Sequence, residues 1–105
     1  MRSIGVIPSR FGATRLTGKP LQSILGQPLI SWVIKGAQQS QRLDHLLVAT
    51  DHKGIAEVAR SCGVEVVMTS SNLPSGTDRV WAAVAEQQAD IVVNIQGDEP
   101  LISVP

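Results

Sequence analysis

Apolar residues gather in four short runs, Ile4–Ile7, Leu46–Ala49, Val64–Met68 and Ile91–Ile95. These runs are near-continuous in Val, Ile and Leu rather than alternating, which predicts strands covered on both faces. Between them the spacing turns helical. Residues 28–39 set Leu29, Trp32, Val33 and Ala37 on one face, with Pro28 suited to a first helical position. Residues 53–61 set Ile55, Val58, Ala59 and Cys62 on one face and stop at Gly63. Residues 77–88 point Val80, Trp81 and Val84 inward, with Thr77 or Asp78 near the N-cap. Trp32, Trp81 and Cys62 therefore read as packing residues. His45 and His52, which lack ligand spacing or a nucleophile beside them, read as surface residues.

The order β-α-β-α-β-α-β predicts an α/β fold: a parallel sheet with helices on both faces, joined by right-handed crossovers. Ligands of such sheets sit outside the carboxyl ends of the strands. Four loops meet that condition: Pro8 to Pro20, Thr50 to Lys53, Thr69 to Gly76 and Gln96 to Pro100. The sequence runs out at Leu101–Pro105, just after a strand and a polar loop, so the 105 residues are expected to be one domain cut short.

Composition narrows the function. The net charge is zero, but residues 1–43 hold six cations and no acid, whereas residues 44–105 hold three cations and nine acids. A basic front half suits an anionic ligand, and the balanced total argues against a general nucleic-acid or membrane-surface binder. A lone cysteine, Cys62, cannot form an internal disulfide. No apolar run approaches the ~20 residues of a membrane span, and the apolar stretch at the start is too short for a signal peptide. These features predict a soluble cytoplasmic protein.

Three of the front-half cations, Arg10, Arg15 and Lys19, lie in the loop after the first strand, and that loop contains Gly12, Gly18 and no acid. Cations on a glycine-containing loop at a strand's end match a chelator of several phosphates. The loop is not a Walker motif. Five residues separate its glycines instead of four, and Pro20 follows Lys19 where a magnesium-binding hydroxyl is needed. The dinucleotide fingerprint is also missing. On the acidic side, Asp98 follows the fourth strand, where it either caps the turn after Gly97 or holds Mg²⁺ bound to a triphosphate.

Four blocks carry a more specific likeness. They are Pro8-Ser9-Arg10 through Arg15-Leu16-Thr17-Gly18-Lys19-Pro20-Leu21; Val48-Ala49-Thr50-Asp51; Met68-Thr69-Ser70 with Ser75-Gly76-Thr77-Asp78-Arg79; and Val93-Asn94-Ile95-Gln96-Gly97-Asp98-Glu99-Pro100. In this order they resemble the sugar-activating cytidylyltransferases, most of all those specific for 3-deoxy-manno-octulosonate (KDO). The sequence departs from the family pattern at Ser9 (usually Ala), Ala13 (usually Ser), Thr17 (usually Pro) and Leu73 (usually His).

The resemblance implies a three-layer, Rossmann-like nucleotidyltransferase fold with a mostly parallel sheet, truncated after the fourth core strand. Residues 1–105 would be the N-terminal nucleotide-binding part of a single domain, with the sugar-binding and dimerisation part absent. The implied reaction is attack of a sugar hydroxyl on the α-phosphate of CTP, giving CMP-KDO for lipopolysaccharide synthesis and releasing pyrophosphate. Arg10, Arg15 and Lys19 would stabilise the pyrophosphate charge, and Asp98 would hold Mg²⁺, with a second metal-binding aspartate beyond Pro105. Pro8 and Ser9 would line the base, Thr69, Ser75, Gly76 and Thr77 would lie by the nucleotide, and Gln96 would face nucleotide or sugar. For Thr77 and Asp78 an ordinary N-cap role stays open beside this one. Arg79 is expected to pair with a nearby acid instead of touching ligand. The full-length protein would be a homodimer acting on CTP and an acidic sugar. Two other readings remain: a cytidylyltransferase for another acidic or amino sugar, and an inactive fragment that only binds nucleotide.

Overall fold

The computed structural model describes residues 2–9, 21, 23–39, 43–70, 76–85 and 87–95. Four strands, β1 (Ser3–Ser9), β4 (His45–Thr50), β5 (Glu65–Met68) and β6 (Ile91–Asn94), form one parallel sheet in the order β5-β4-β1-β6. Three helices connect them: α1 (Leu29–Gln38), α2 (Lys53–Ser61) and α3 (Gly76–Val84). The α/β class, the strand runs and the helix order are those the hydrophobic pattern predicts.

Side chains of the central strands alternate between two cores. Ile7 and Val48 join Leu29, Ile30, Val33, Ile34, Ala37, Ile55 and Ala59 on the α1/α2 face. Ile4, Val6, Leu47 and Ala49 meet Val80, Ala83 and Val84 on the α3 face. This two-sided burial is why Ile4–Ile7 and Leu46–Ala49 in the two central strands carry no polar residue. The result is a three-layer sandwich.

Local chemistry sets where the helices start and stop. His52 caps α2, its Nδ1 accepting from the backbone N–H of Gly54 (3.1 Å) and Ile55 (3.4 Å). The helix ends in a Schellman motif: Gly63 at φ +85° donates to Arg60 O, and Val64 N donates to Ala59 O. Val64 is thus spent on the cap, and β5 starts one residue later than the apolar run. Helix α3 stops at Val84 instead of Gln88, because its apolar stripe ends there and Gln87 N closes a turn on Val84 O at 2.9 Å.

Two expectations need correction. Trp81 faces solvent at 63% exposure, since α3 turns Val80, Ala83 and Val84 to the sheet and leaves position 81 on its flank. Pro28 is not the first residue of α1 but ends a small antiparallel hairpin, β2 (Ser23–Ile24) with β3 (Gln27–Pro28), which the pattern does not announce. Trp32 is half-buried beneath that hairpin, donating from Nε1 to Ile24 O at 2.7 Å.

At the amino edge, both sides of β1 are tied down. Asp44 Oδ2 accepts from Ser3 N and Asp90 Oδ2 from Arg2 N, each at 2.7 Å. The Ser3 N–H, chief among the groups around it, lowers the pKa of Asp44 below the usual carboxylate value. His45, half-buried, bonds Glu65 at 2.8 Å across β4 and β5.

Candidate functional site

The winding of the sheet reverses at β1. The chain runs outward from β1 through α1 to β4 and through α2 to β5, then returns through α3 to place β6 on the other side of β1. A parallel sheet opens a crevice at such a switch point, outside the strands' carboxyl ends. Here the flanking strands are β1, which leads into residues 10–20, and β6, which leads into residues 96–100. Val6 pairs with Asn94, and Ile95 N donates to Val6 O at 2.9 Å, so the two strands run together to that edge. The basic and acidic blocks of the sequence therefore both start from the switch point.

Several site residues fall within the described structure. Pro8 and Ser9 are the last residues of β1, opposite Ala49 and Thr50 of β4. Ser9 is 2% exposed, and its Oγ has no hydrogen-bond partner among the described residues. Thr50, fully buried, accepts from His52 N at 3.2 Å. Thr69 extends the β4–β5 ladder past β5, its N–H bonding Thr50 O at 2.8 Å. Gly76 and Thr77 open α3, one residue earlier than the sequence predicts, which puts Asp78 in the first turn rather than at the cap. Arg10, Arg15, Lys19, Ser75, Gln96 and Asp98 lie outside the described residues.

Arg79 is where the structure departs most from expectation. Its guanidinium is buried, at 1% exposure. It meets no acid among the described residues; instead Nη1 donates to Thr69 Oγ1 and to Ser70 O at 3.1 Å. The sequence did hold a signal: a cation in the first turn of a helix opposes the helix dipole, so its presence there calls for a specific partner.

Among the described residues no three His, Cys, Asp or Glu side chains group to hold a metal ion. Asp98, the carboxylate expected to hold Mg²⁺, follows β6 in the sequence and lies outside the described residues. No helix among the described residues is long and apolar enough to cross a membrane.

Known proteins share this arrangement. A KDO cytidylyltransferase (3-deoxy-manno-octulosonate cytidylyltransferase) of Bdellovibrio bacteriovorus is 54% identical over 98% of this chain and 42% of its own length. A solved CMP:2-keto-3-deoxy-manno-octonic acid synthetase, complexed with CTP, superimposes with a TM-score of 0.91 at 39% identity, over 97% of this chain and 42% of that one. A nucleotidyl transferase from Methanothermobacter thermautotroptrophicus, 21% identical, shares the fold with a TM-score of 0.82 over 97% of this chain and 53% of its own. The chain thus spans about two-fifths of the length of the curated relative. A cytidylyltransferase family model matches residues 4–105, from the first core strand through all four motif blocks. With a match that takes in the whole sheet and both sides of its switch point, the chain belongs to the cytidylyltransferase family.

Proposed function

We propose that these residues are the nucleotide-gripping part of an enzyme that joins CTP to KDO, giving CMP-KDO and pyrophosphate for lipopolysaccharide synthesis. The observation that carries this reading is the 54% identity to a KDO cytidylyltransferase across all four motif blocks. The topology supports it, since β1 and β6 lead the cationic segment and the Asp98 segment from neighbouring strand ends.

In this reading Arg10, Arg15 and Lys19 bind the triphosphate and neutralise the charge that builds on departing pyrophosphate, an electrostatic contribution that needs no covalent step. Pro8, Ser9, Thr69, Ser75, Gly76 and Thr77 form the wall against the nucleoside, and Gln96 faces the nucleotide or sugar. Asp98 would hold Mg²⁺, which would supply Lewis-acid polarisation of the α-phosphate. The bond formed joins the sugar hydroxyl oxygen to the α-phosphorus, the bond broken is that to the pyrophosphate oxygen, and the hydroxyl proton passes to solvent. We place the reaction in the cytoplasm and assign the whole protein to a homodimer.

Binding is tested on the 105 residues, and turnover on a protein of the relative's full length that carries them. CTP with Mg²⁺ is expected to bind the chain in a calorimetric titration, and Lys19→Ala to abolish CMP-KDO formation in the longer protein. Full activity of Lys19→Ala overturns the assigned role. A panel of acidic and amino sugars offered with CTP separates KDO from other acceptors. CTP binding without turnover of any sugar marks a nucleotide-binding protein instead.

A further inference from the structure

We propose that Arg79 is a positioning residue that makes the Thr69 hydroxyl a hydrogen-bond donor to the nucleoside half of the bound nucleotide. The inference rests on the nucleotide-binding reading above and adds to it a residue and a direction of donation.

Arg79 stands in an unfavourable place. Its guanidinium is always ionised, yet it is 1% exposed and in the first turn of α3, where the helix dipole repels a cation. Among the described residues the ion pair is His45–Glu65, so neutral oxygens meet the charge of Arg79. Nη2 is buried with no partner among those residues. For packing alone, an apolar side chain of similar volume would serve better than a desolvated cation. What the guanidinium does is grip the segment leaving β5 at two points, Thr69 Oγ1 and Ser70 O.

That grip decides what Thr69 can do. A hydroxyl has one proton and two acceptor lone pairs. Nη1 takes one lone pair, and the cation repels the hydroxyl proton, which must then point away from it. A donor bonded to a charged group is polarised, and its own O–H becomes a better donor. The Thr69 backbone is held as well, through its N–H to Thr50 O at 2.8 Å, so the hydroxyl is fixed at the carboxyl edge of the sheet. A fixed, polarised donor calls for an acceptor. With the phosphates assigned to the cations of residues 10–19, that acceptor belongs to the base or ribose.

The test titrates CTP and inorganic triphosphate, each with Mg²⁺, into the wild-type chain and into Thr69→Val, Thr69→Ser and Arg79→Lys. Thr69→Val and Arg79→Lys are expected to weaken CTP by about tenfold and leave triphosphate unchanged, the size of one lost charge-assisted hydrogen bond. Thr69→Ser, which keeps the hydroxyl, is expected to bind CTP like the wild type. Unchanged CTP affinity in Thr69→Val or Arg79→Lys overturns the inference alone. So does a parallel loss of both ligands, which marks a purely structural role, or a Thr69→Ser variant as weak as Thr69→Val. Wild-type chain that fails to bind CTP overturns the nucleotide reading, and this inference with it.

Discussion

Replacing Leu25 with asparagine tests how the hairpin between β2 and β3 is held. Leu25 and Gly26 join the two strands with φ of +52° and +85°. Positive φ at both central positions is the geometry of a type I′ turn, which Asn-Gly fits and Leu does not. An L-residue other than Gly, Asn or Asp in the left-handed region costs about 1 kcal/mol or more. Burial offers Leu25 almost nothing in return, because it is 89% exposed. The strain persists because α1 fastens the hairpin around it. Trp32 Nε1 donates to Ile24 O (2.7 Å), Ser31 Oγ to Pro28 O (2.7 Å), and Lys35 Nζ to Gln27 Oε1 (2.5 Å). Leu25→Asn should therefore relieve the strain and leave every one of these bonds intact, stabilising the chain by about 0.5–1 kcal/mol. For a domain of this size that is a Tm increase of roughly 2–8 °C in thermal unfolding. Leu25→Ala, which keeps the left-handed strain, should shift Tm little, and Leu25→Val should lower it. A Leu25→Asn chain no more stable than wild type refutes the reasoning, since it would mean that the leucine side chain holds the turn.

His52→Ala removes the acceptor for two N–H groups of α2 and should cost about 1 kcal/mol in urea unfolding, whereas His52→Asn should recover most of it; equal stability of Ala and wild type would discount the cap. Because Asp44 has a lowered pKa in the folded chain, its contribution is present above the unfolded carboxylate value and is lost as pH falls through the folded one. The urea midpoint of Asp44→Asn should accordingly fall less steeply than that of wild type between about pH 5 and pH 2, and identical slopes would remove Asp44 from the acid limb. Ser9→Ala deletes a buried hydroxyl with no partner among the described residues, so the chain without ligand should lose no stability; a clear drop in Tm would show that the hydroxyl is bonded within the fold.

The strands and helices were legible because each follows from periodicity. Ile7 and Val48 face one core while Val6 and Leu47 face the other, so a doubly covered strand has to be apolar throughout. Gly63 was legible as a stop because few other residues take its φ. The β2–β3 hairpin was not, since its turn uses Leu where the local rule asks for Asn or Asp, and tertiary bonds from α1 override that preference. His52 reads as a surface residue in the sequence because it lacks ligand spacing or a nucleophile beside it, and its Nδ1 shows the capping role only in three dimensions. Trp81 misled through its size: a large apolar side chain beside Val80 looks like core until the stripe is centred on Val80, Ala83 and Val84. At the site, sequence motifs named the candidates, while the topology supplied the reason that the segments carrying them leave from neighbouring strand ends.

That reason lies in the direction of a single crossover. Had the chain kept winding outward after β5, β6 would lie three strands from β1. At about 4.8 Å per strand, that is roughly 14 Å instead of one strand spacing. A Mg²⁺ ion reaches its oxygen ligands at only about 2 Å, so a carboxylate following β6 could not share a triphosphate with cations following β1 at the larger separation. The reversal depends on the second apolar face of the sheet: Ile4, Val6, Leu47 and Ala49 give Val80, Ala83 and Val84 a core to join on the side opposite α1 and α2. A right-handed crossover on that side can only carry the chain back past β1. The zero net charge of the sequence thus has a geometric counterpart. The cationic segment after β1 and the acidic segment after β6 leave from neighbouring strand ends because of the hydrophobic pattern of α3, a helix that contains none of the cations of the first loop.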